Sequence, residues 1–367
     1  PVLRRSSPAP IPNLMGLTDL LRGTVTAFAL RRPAVMLAAS AVALAVMCMP
    51  TLAFAAPTIT LTNPSAAAER VPFTVLASTD FAAPHGLGAT LKHGFEATCG
   101  CVVTFIDAGD PIALGAAGDR GADVAVGLPL SALESARARF APRPHAQPLS
   151  LPIAWSDDIF APLDYGWIGL VHDLTKMPRP PTSWPEIARA RPNALRIAID
   201  DPRSGAAGLD AVLWVRATHK AAAADIWADA RPKLVIVKTR SEALARLQSG
   251  DVDMALAATT WPTTQDAGRY KVAAFSEGQF LQVESAAIYK DAKRPDIAAK
   301  FLDYLVSAPA QSAIAAQRGL YPTNPAARTP DAFQRVTLPS WSISLDAKSI
   351  HQNMPTWLAE WTAATAR

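Results

Sequence analysis

Polar and aromatic side chains collect in loops at the ends of the predicted strands, where a small molecule could be held. In an open α/β sheet such loops converge beyond the carboxyl ends of the strands, so groups from distant parts of the chain can contact one ligand. The mixture of hydroxyls, carboxylates and rings predicts a cleft with a few fixed polar contacts. The candidate contacts are Ser78, Thr79, Asp80, Asp110, Pro111, Tyr165, Gly205, Ala206, Arg240, Thr259, Thr260 and Trp261.

The loop of residues 200–208 runs from a predicted strand into a predicted helix and contains Ser204, Gly205 and Ala206. Backbone N–H groups at a helix start have no partner within the helix, and they attract an anion or a polar oxygen. We therefore expect this loop to supply backbone donors to the cleft.

Motifs of catalysis and metal binding are missing from the sequence. There is no GxSxG, HExxH or P-loop and no GxGxxG after the first predicted strand, and the six histidines share no metal-ligand spacing. The acidic pairs Asp157-Asp158 and Asp200-Asp201 fit turns better than paired acid–base catalysts. We predict that the protein is not an enzyme and has no metal and no cofactor.

Cys99 and Cys101 lie where the first long predicted helix passes into a strand. In an oxidising compartment they can close a disulfide across one residue, although such a ring is strained, and two free thiols fit the sequence equally well. Three cysteines in the whole chain are too few for a disulfide scaffold.

Composition and charge exclude several classes of protein. The 367 residues suffice for about two domains, and 50% hydrophobic against 18% charged residues excludes global disorder. Residues 1–56 contain five arginines and one acid, and subtracting these from 35 basic and 31 acidic residues leaves thirty of each from residue 57 onward. Because this body is neutral, we predict no nucleic-acid partner.

Residues 34–49 form an apolar, uncharged run that follows two arginines and precedes Ala53-Phe54-Ala55. A positive flank, a short apolar run and small residues at the exit are typical of a secretory signal peptide, whereas a membrane anchor needs a longer run. We predict that residues 1–56 are an upstream extension and signal peptide, cleaved near Ala55 or Ala56, and that the mature protein is periplasmic.

Short apolar or β-branched runs alternate with longer amphipathic runs, and this alternation predicts an α/β fold. The predicted strands are residues 73–77, 102–106, 123–127, 167–172, 195–199, 234–237, 252–257 and 280–288. The predicted helices are residues 86–97, 130–140, 184–191, 209–219, 221–231, 241–249, 294–306 and 350–364.

Gly121-Ala-Asp123-Val-Ala-Val-Gly127 resembles Gly250-Asp-Val-Asp253-Met-Ala-Leu-Ala257, which suggests two lobes of similar topology. Since no Gly/Ser linker separates them, we predict a close hinge, with residues 57–164 and 276–367 in lobe one, residues 165–275 in lobe two and the ligand cleft between. Trp357 and Trp361 share one helix face and are predicted to pack against lobe one.

Five short motifs are fairly specific when taken together. They are Gly94-Phe-Glu-Ala-x-Cys99-x-Cys101, Phe160-x-Pro-x-Asp164-Tyr165-Gly166, Asp201-Pro-Arg203, Phe275-Ser-Glu277-Gly278-x-x-Leu281-Gln282-Val283-Glu284 and Tyr321-Pro322. With them the chain, from about Phe73 onward, resembles the thiamine-binding periplasmic proteins of bacterial ABC importers, within the type II solute-binding superfamily. The resemblance implies two α/β lobes that close on a ligand, delivery to an inner-membrane ABC permease with its ATPase, and no catalysis.

The resemblance also implies the ligand and its contacts. The family's ligand loops correspond here to Asp110-Pro111, Gly205-Ala206, Arg240 and residues 258–261, and Tyr165 and Tyr321 are kept, which adds Tyr321 to the candidate contacts. Thiamine, thiamine phosphate and thiamine diphosphate are the implied ligands.

This chain departs from the family pattern at several of these positions. Arg240 and Ala258 replace an aromatic residue and a tyrosine, and the family's first loop, which carries a tyrosine and a tryptophan, reads here as Ser78-Thr79 and, further on, His85. Thiamine carries a cationic thiazolium, whose natural partners are carboxylates and aromatic faces.

Because of its charge, Arg240 should weaken binding of the thiazolium cation by roughly 1 kcal/mol or more. The same guanidinium should favour a phosphorylated or acidic ligand through charge-assisted hydrogen bonds. Trp261 can supply a replacement stacking face.

Two other functions stay open at this point. One is binding of another small anionic or organic ligand by the same fold, and the other is a secreted enzyme; a ferric ligand is disfavoured because no two tyrosines are adjacent. We expect a monomer in which Asp110 from one lobe meets Gly205, Thr259 and Thr260 from the other only when the cleft closes on its ligand.

Overall fold

The computed structural model describes residues 70–143, 149–265 and 268–366. The predicted leader over residues 1–56, with its cleavage site, lies outside these ranges. Within them, no helix combines the length and the apolar character needed to cross a membrane.

Helices and strands alternate along the chain as the α/β pattern predicts. The strands are β1 (Val71–Ala77), β2 (Cys101–Asp107), β3 (Val124–Pro129), β4 (Phe140–Ala141), β5 (Ala161–Asp173), β6 (Ile197–Asp200), β7 (Leu234–Val237), β8 (Met254–Ala258), β9 (Tyr270–Val272), β10 (Gln279–Tyr289), β11 (Tyr321–Pro322) and β12 (Ser342–Ile343). The helices are α1 (Thr79–Ala82), α2 (Leu87–Cys99), α3 (Pro111–Ala116), α4 (Leu133–Ala136), α5 (Trp184–Arg189), α6 (Ala206–His219), α7 (Ala223–Ala230), α8 (Arg240–Ser249), α9 (Pro295–Leu305), α10 (Ala308–Arg318) and α11 (Ala347–Thr365).

The predicted helix over residues 130–140 is broken into short pieces. One α-helical turn, α4, lies between 3-10 turns at Leu130–Ala132 and Arg137–Arg139. Helix α10 was not predicted, because its buried positions are mostly small: Ala310, Ile314 and Ala315 give no continuous apolar stripe.

Two parallel groups of strands are joined through two long strands. The order is β2-β1-β3-β10-β5-β8-β6-β7, with β10 antiparallel to β3 and β5, and β5 antiparallel to β8. We call the part built around β1–β3 the first lobe and the part built around β6–β8 the second lobe. Strand β5 belongs to both, because it pairs with β10 from Ala161 to Trp167 and with β8 from Ile168 to His172.

The sequence repeat noted above is also a structural repeat. In the first lobe Asp123 donates its N–H to the carbonyl of Thr74 at 2.8 Å, and its Oδ2 accepts the N–H of Thr74 at 3.0 Å. In the second lobe Asp253 makes the same pair of bonds with Arg196, at 2.9 and 2.8 Å. Each aspartate thus fixes the start of a parallel strand against its neighbour, which supports a common topology for the two lobes.

Each lobe has its own aromatic core. In the first lobe the ring of Phe301 packs against Phe73 and Phe95, with centroids 5.3 and 4.9 Å apart. In the second lobe Trp184 packs against Trp214 and Trp227 at 5.4 and 5.1 Å. These rings are buried on the apolar faces of the helices and sheets that carry them, where burial of aromatic area stabilises most.

The prediction that Trp357 and Trp361 pack against lobe one is wrong. Trp361 is buried and Trp357 half-buried in the core of the second lobe, since α11 lies along α6 and α7. The i, i+4 spacing correctly predicted that Trp357 and Trp361 share one packed face of α11. It carries no information about which neighbouring element that face contacts.

Cys99 and Cys101 are joined by a disulfide at the α2–β2 turn. Gly100 between them has a φ of 63°, a left-handed conformation that glycine adopts without strain. The two alternatives left open by the sequence are thereby decided in favour of the disulfide.

Candidate functional site

Asp110 and Ala206 join the two lobes at the predicted cleft. Asp110 caps α3, where its Oδ1 accepts the N–H of Ile112 at 2.9 Å and Pro111 takes the first helical position, which needs no N–H. The same carboxylate accepts the N–H of Ala206, with Oδ1 at 3.2 Å and Oδ2 at 3.4 Å. The backbone donor expected at this helix start is therefore held by a carboxylate of the opposite lobe.

Gly205 allows α6 to begin directly against the end of β6. A Cβ added at Gly205 would lie 2.1 Å from Oδ2 of Asp200, so a larger residue would displace that carboxyl group. Asp200 is buried, and burial raises its pKa.

A second link between the lobes is formed by Asp80 and Arg240. Oδ2 of Asp80 lies 3.6 Å from Nη2 of Arg240, which is the first residue of α8, and 3.2 Å from Nη1 of Arg318. The side chain of Asp80 is 57% exposed, so this carboxylate is open to solvent while it pairs with both guanidinium groups. It offsets part of the Arg240 charge that was expected to repel a cation.

Arg318 was not among the predicted residues, and it connects this link to the strands that join the lobes. Its Nε donates to Oδ2 of Asp164 at 2.7 Å, and its Nη2 lies 2.7 Å from Oε1 of Glu284. These two acids stand directly opposite each other on β5 and β10, where two like charges would repel. The guanidinium, stacked 4.3 Å over the ring of Phe81, compensates them.

A cavity of about 330 Å³ opens beside Asp80, Arg240 and Arg318. Thr260 and Trp261 also line it, and Phe333 adds an aromatic wall that was not predicted. The volume lies within the range of small-molecule sites. Four of the predicted contacts, Asp80, Arg240, Thr260 and Trp261, are thus brought together.

Thr259 and Thr260 are buried and form hydrogen bonds within the protein. Thr260 is buried and its hydroxyl donates to the carbonyl of Gly319, a further bond from the second lobe to the end of α10. Thr259 is buried and donates its N–H to the carbonyl of Trp167 at 2.8 Å, and it lines a separate cavity of about 490 Å³. Trp261 packs edge-on against Tyr270, with centroids 5.2 Å apart.

The remaining predicted contacts are not placed on this cavity. Tyr165 and Tyr321 stack on each other at 5.5 Å across β5 and β11, and burial raises the pKa of Tyr321 to about 12. Thr79 donates its hydroxyl to Oδ1 of Asp107 at 2.9 Å. Ser78 is buried, and within the described residues its Oγ has no hydrogen-bond partner.

Carboxyl groups outnumber guanidinium groups around the start of α6. Asp210, on α6, is almost fully buried, and burial together with the neighbouring Asp200 and Glu284 holds its pKa well above the ordinary value. No local pattern pointed to this group, because Asp210 is a lone polar residue in an apolar helix. Across the described ranges, no set of three or more His, Cys, Asp or Glu side chains is arranged to hold a metal ion.

A sequence profile for bacterial extracellular solute-binding proteins matches residues 108–338. The thiamine-binding periplasmic protein of Escherichia coli K12 is 32% identical over 307 residues, which cover 80% of this chain and 93% of that protein. The protein of the same name from Brucella melitensis is 31% identical over 308 residues, covering 80% and 92%.

Solved structures give the same result for the fold. A periplasmic thiamin binding protein superposes with a TM-score of 0.75 at 31% identity, covering 81% of this chain and 96% of that one. Iron-bound HitA from Pseudomonas aeruginosa, at 19% identity, has a TM-score of 0.65 over 80% of this chain and shares the fold. The two-lobe type II fold implied by the motifs is confirmed, and the chain belongs to the family of bacterial extracellular solute-binding proteins.

Proposed function

We propose that the protein captures thiamine or one of its phosphates between its two lobes and delivers it unchanged to an inner-membrane ABC permease. The observation that carries this proposal is the match, over nearly their whole length, to relatives named for thiamine binding. The binding step makes and breaks no covalent bond, so the work of the site is selection and closure.

The charges of the cleft support a cationic ligand. Asp80 and Asp110 present carboxylates from the first lobe, and both are held by contacts with the second lobe, at Arg240 and Ala206. A thiazolium ring placed between the lobes gains from these carboxylates only when the lobes are close together. Such a ligand therefore stabilises the closed form by its additional contacts there.

Arg240 supports an extension of the ligand class to thiamine phosphates. Its side chain is 38% exposed on the wall of the 330 Å³ cavity, at the first position of α8. A phosphate at this position would meet a guanidinium and the positive end of a helix. The proposed contacts are the predicted residues of this wall, Asp80, Arg240, Thr260 and Trp261, together with Asp110, Gly205 and Ala206 at the other link.

We further propose that the protein is exported after cleavage near Ala55 or Ala56 and acts in the periplasm as a monomer. This localisation agrees with the names of the relatives and with the leader pattern of residues 1–56.

Titration calorimetry with thiamine, thiamine phosphate and thiamine diphosphate tests the function. The expected result is saturable binding of at least one of the three at one molecule per chain. Native mass spectrometry of freshly isolated protein is the parallel readout, because a tightly held ligand adds its own mass. No heat with any of the three compounds, together with a different small molecule in the mass spectrum, would overturn the thiamine assignment.

A further inference from the structure

A small, narrow cavity lies where α6 of the second lobe meets β10. Its volume is about 20 Å³, and its polar lining comes from Asp210 on α6, Gln282 and Glu284 on β10, and Ser131. A cavity of this size accommodates a single water-sized group. Two carboxyl groups therefore share a space too small for the solvation that two negative charges require.

Glu284 leaves one oxygen atom of its carboxyl group free in this space. The residue is 8% exposed, and while Oε1 pairs with Arg318, Oε2 has no hydrogen-bond partner in the part of the chain that the structure describes. Nε2 of Gln282, on the same wall, is likewise buried without a partner there. Asp210 is 9% exposed, so the second residue also has little contact with water.

The charges that face this pair are mostly negative. Asp210 is faced by Asp200, Asp110 and Glu284 and by one cation, Arg240. Glu284 is faced by Asp164 and Asp80 and by two cations, Arg318 and Arg240. Six carboxyl groups thus surround two guanidinium groups, and Arg318 is already committed to Asp164 and Glu284. Ionising both members of the pair would leave buried negative charge without compensation.

We propose that Asp210 and Glu284 are protonated in the ligand-free cleft and release one or both protons to solvent when a cationic ligand binds. The step is the loss of a proton from a buried carboxylic acid to solvent as the positive charge of the ligand enters the cleft, so charge and atoms balance. A neutral molecule of the same shape would leave the protons in place.

The direction of the titration agrees with this geometry. Burial raises the pKa of Glu284 to about 8 and holds the pKa of Asp210 well above its ordinary value. Burial therefore favours the protonated form of both groups until a positive charge enters the cleft. The inference rests on the proposed function, since it needs a cationic ligand, and it adds two buried acids whose protonation responds to the charge of that ligand.

Calorimetric titration of the full protein with thiamine at pH 7, in two buffers with different ionisation enthalpies, counts the protons directly. We expect a release of about one half to two protons per thiamine bound. Affinity should then rise between pH 6 and pH 8, by about tenfold per pH unit for each proton released. Thiamine binding with no proton exchange and no pH dependence would overturn the inference and leave the proposed function standing. No binding of thiamine, thiamine phosphate or thiamine diphosphate at any pH would overturn both.

Asp210→Asn provides the variant test, because the amide has the shape of the carboxyl group and cannot be ionised. It should reduce the number of protons released and flatten the pH dependence of thiamine affinity. Asp225→Asn is the matched control, since Asp225 is exposed on α7 and should keep the wild-type proton count. Equal proton release by both variants and the wild type would contradict the assignment to Asp210. If Asp210→Asn does not fold, the wild-type proton count decides the question.

Discussion

The carboxylate of Asp110 accepts the backbone N–H of Ala206 across the cleft at 3.2 Å. One side chain thus serves as the cap of α3 in the first lobe and as the partner of the α6 start in the second lobe. A helix start that would otherwise attract an anion is occupied by part of the protein itself. In this arrangement of the lobes, Asp110 therefore neutralises the α6 start.

Asp110→Ala should weaken both folding and ligand binding. Loss of the α3 cap costs about 1 kcal/mol of unfolding free energy. Loss of the bond to Ala206 removes a charge-assisted contact that exists only when the lobes meet, and a ligand that needs closure should then bind about tenfold more weakly. Urea denaturation measures the first effect and calorimetric titration with thiamine the second.

Asp346→Ala is the matched control for this variant. Asp346 caps α11 in the same way, with its Oδ1 accepting the N–H of Ser349 at 2.8 Å. It should lose a similar amount of stability and keep wild-type affinity for thiamine. If Asp110→Ala bound thiamine as tightly as Asp346→Ala does, the bond across the cleft would have no role in ligand binding.

Arg318→Met should destabilise the protein strongly. The substitution leaves the buried Asp164 on β5 without its cation, opposite Glu284 on β10, and removing one partner of such a buried pair costs about 3–5 kcal/mol. Arg246→Ala breaks the partly exposed pair with Glu242 and should cost only about 0.3–0.5 kcal/mol. Urea unfolding of both variants measures their losses of unfolding free energy. Similar losses in the two variants would show that Arg318 is not needed to stabilise the buried acids.

Arg240→Trp should strengthen thiamine binding relative to binding of the thiamine phosphates. The change removes a positive charge and supplies an aromatic face, which favours the thiazolium cation and penalises a phosphate. Parallel titrations of the variant with thiamine and with thiamine diphosphate give the ratio of the two affinities. An equal change for both ligands would refute the charge argument for Arg240.

The ligand-free protein should become less stable as pH rises from about 5 to 8. The pKa of Glu284 is raised by burial from its ordinary value of 4.5 to about 8, so in this window the folded state binds more protons than the unfolded state. The unfolding free energy then falls with increasing pH. Thermal unfolding of Glu284→Gln should show a smaller decrease than the wild type.

Glu134→Gln controls for the loss of a carboxylate elsewhere. Glu134 is a partly exposed partner of Arg137 on α4 and should leave the pH dependence of the melting temperature unchanged. The melting temperatures of the wild type, Glu284→Gln and Glu134→Gln are compared between pH 5 and pH 8. A rise by the same amount in all three proteins would contradict a buried, protonated Glu284.

Much of the framework follows from the sequence because its signals are local. Most strands with β-branched runs and helices with apolar stripes were found within a few residues, although β5 begins six residues before its predicted start and the helix predicted over 130–140 is broken. In both Gly-Asp turns an aspartate, Asp123 or Asp253, ties the start of a strand to its neighbour. Short elements such as α3 were missed, since six residues beginning with a proline carry no periodic pattern.

The site was predicted less completely, because its charges are paired over long distances in the sequence. Arg318 meets Asp164 and Glu284 through the register of β5 and β10, which no local pattern encodes. Tyr165 and Tyr321 carried the resemblance to the family, yet they stack on each other and leave the wall of the 330 Å³ cavity to Trp261 and Phe333. Asp210 stands in an apolar helix, so its burial beside another acid became visible only in three dimensions.

A crystal structure of the protein grown with thiamine tests the central claim most directly. The account predicts one thiamine between the lobes, with its cationic ring against carboxyl groups from both of them and the bond from Ala206 to Asp110 retained or replaced by the ligand. Thiamine bound outside the cleft, or a cleft left empty at saturating thiamine, would contradict it.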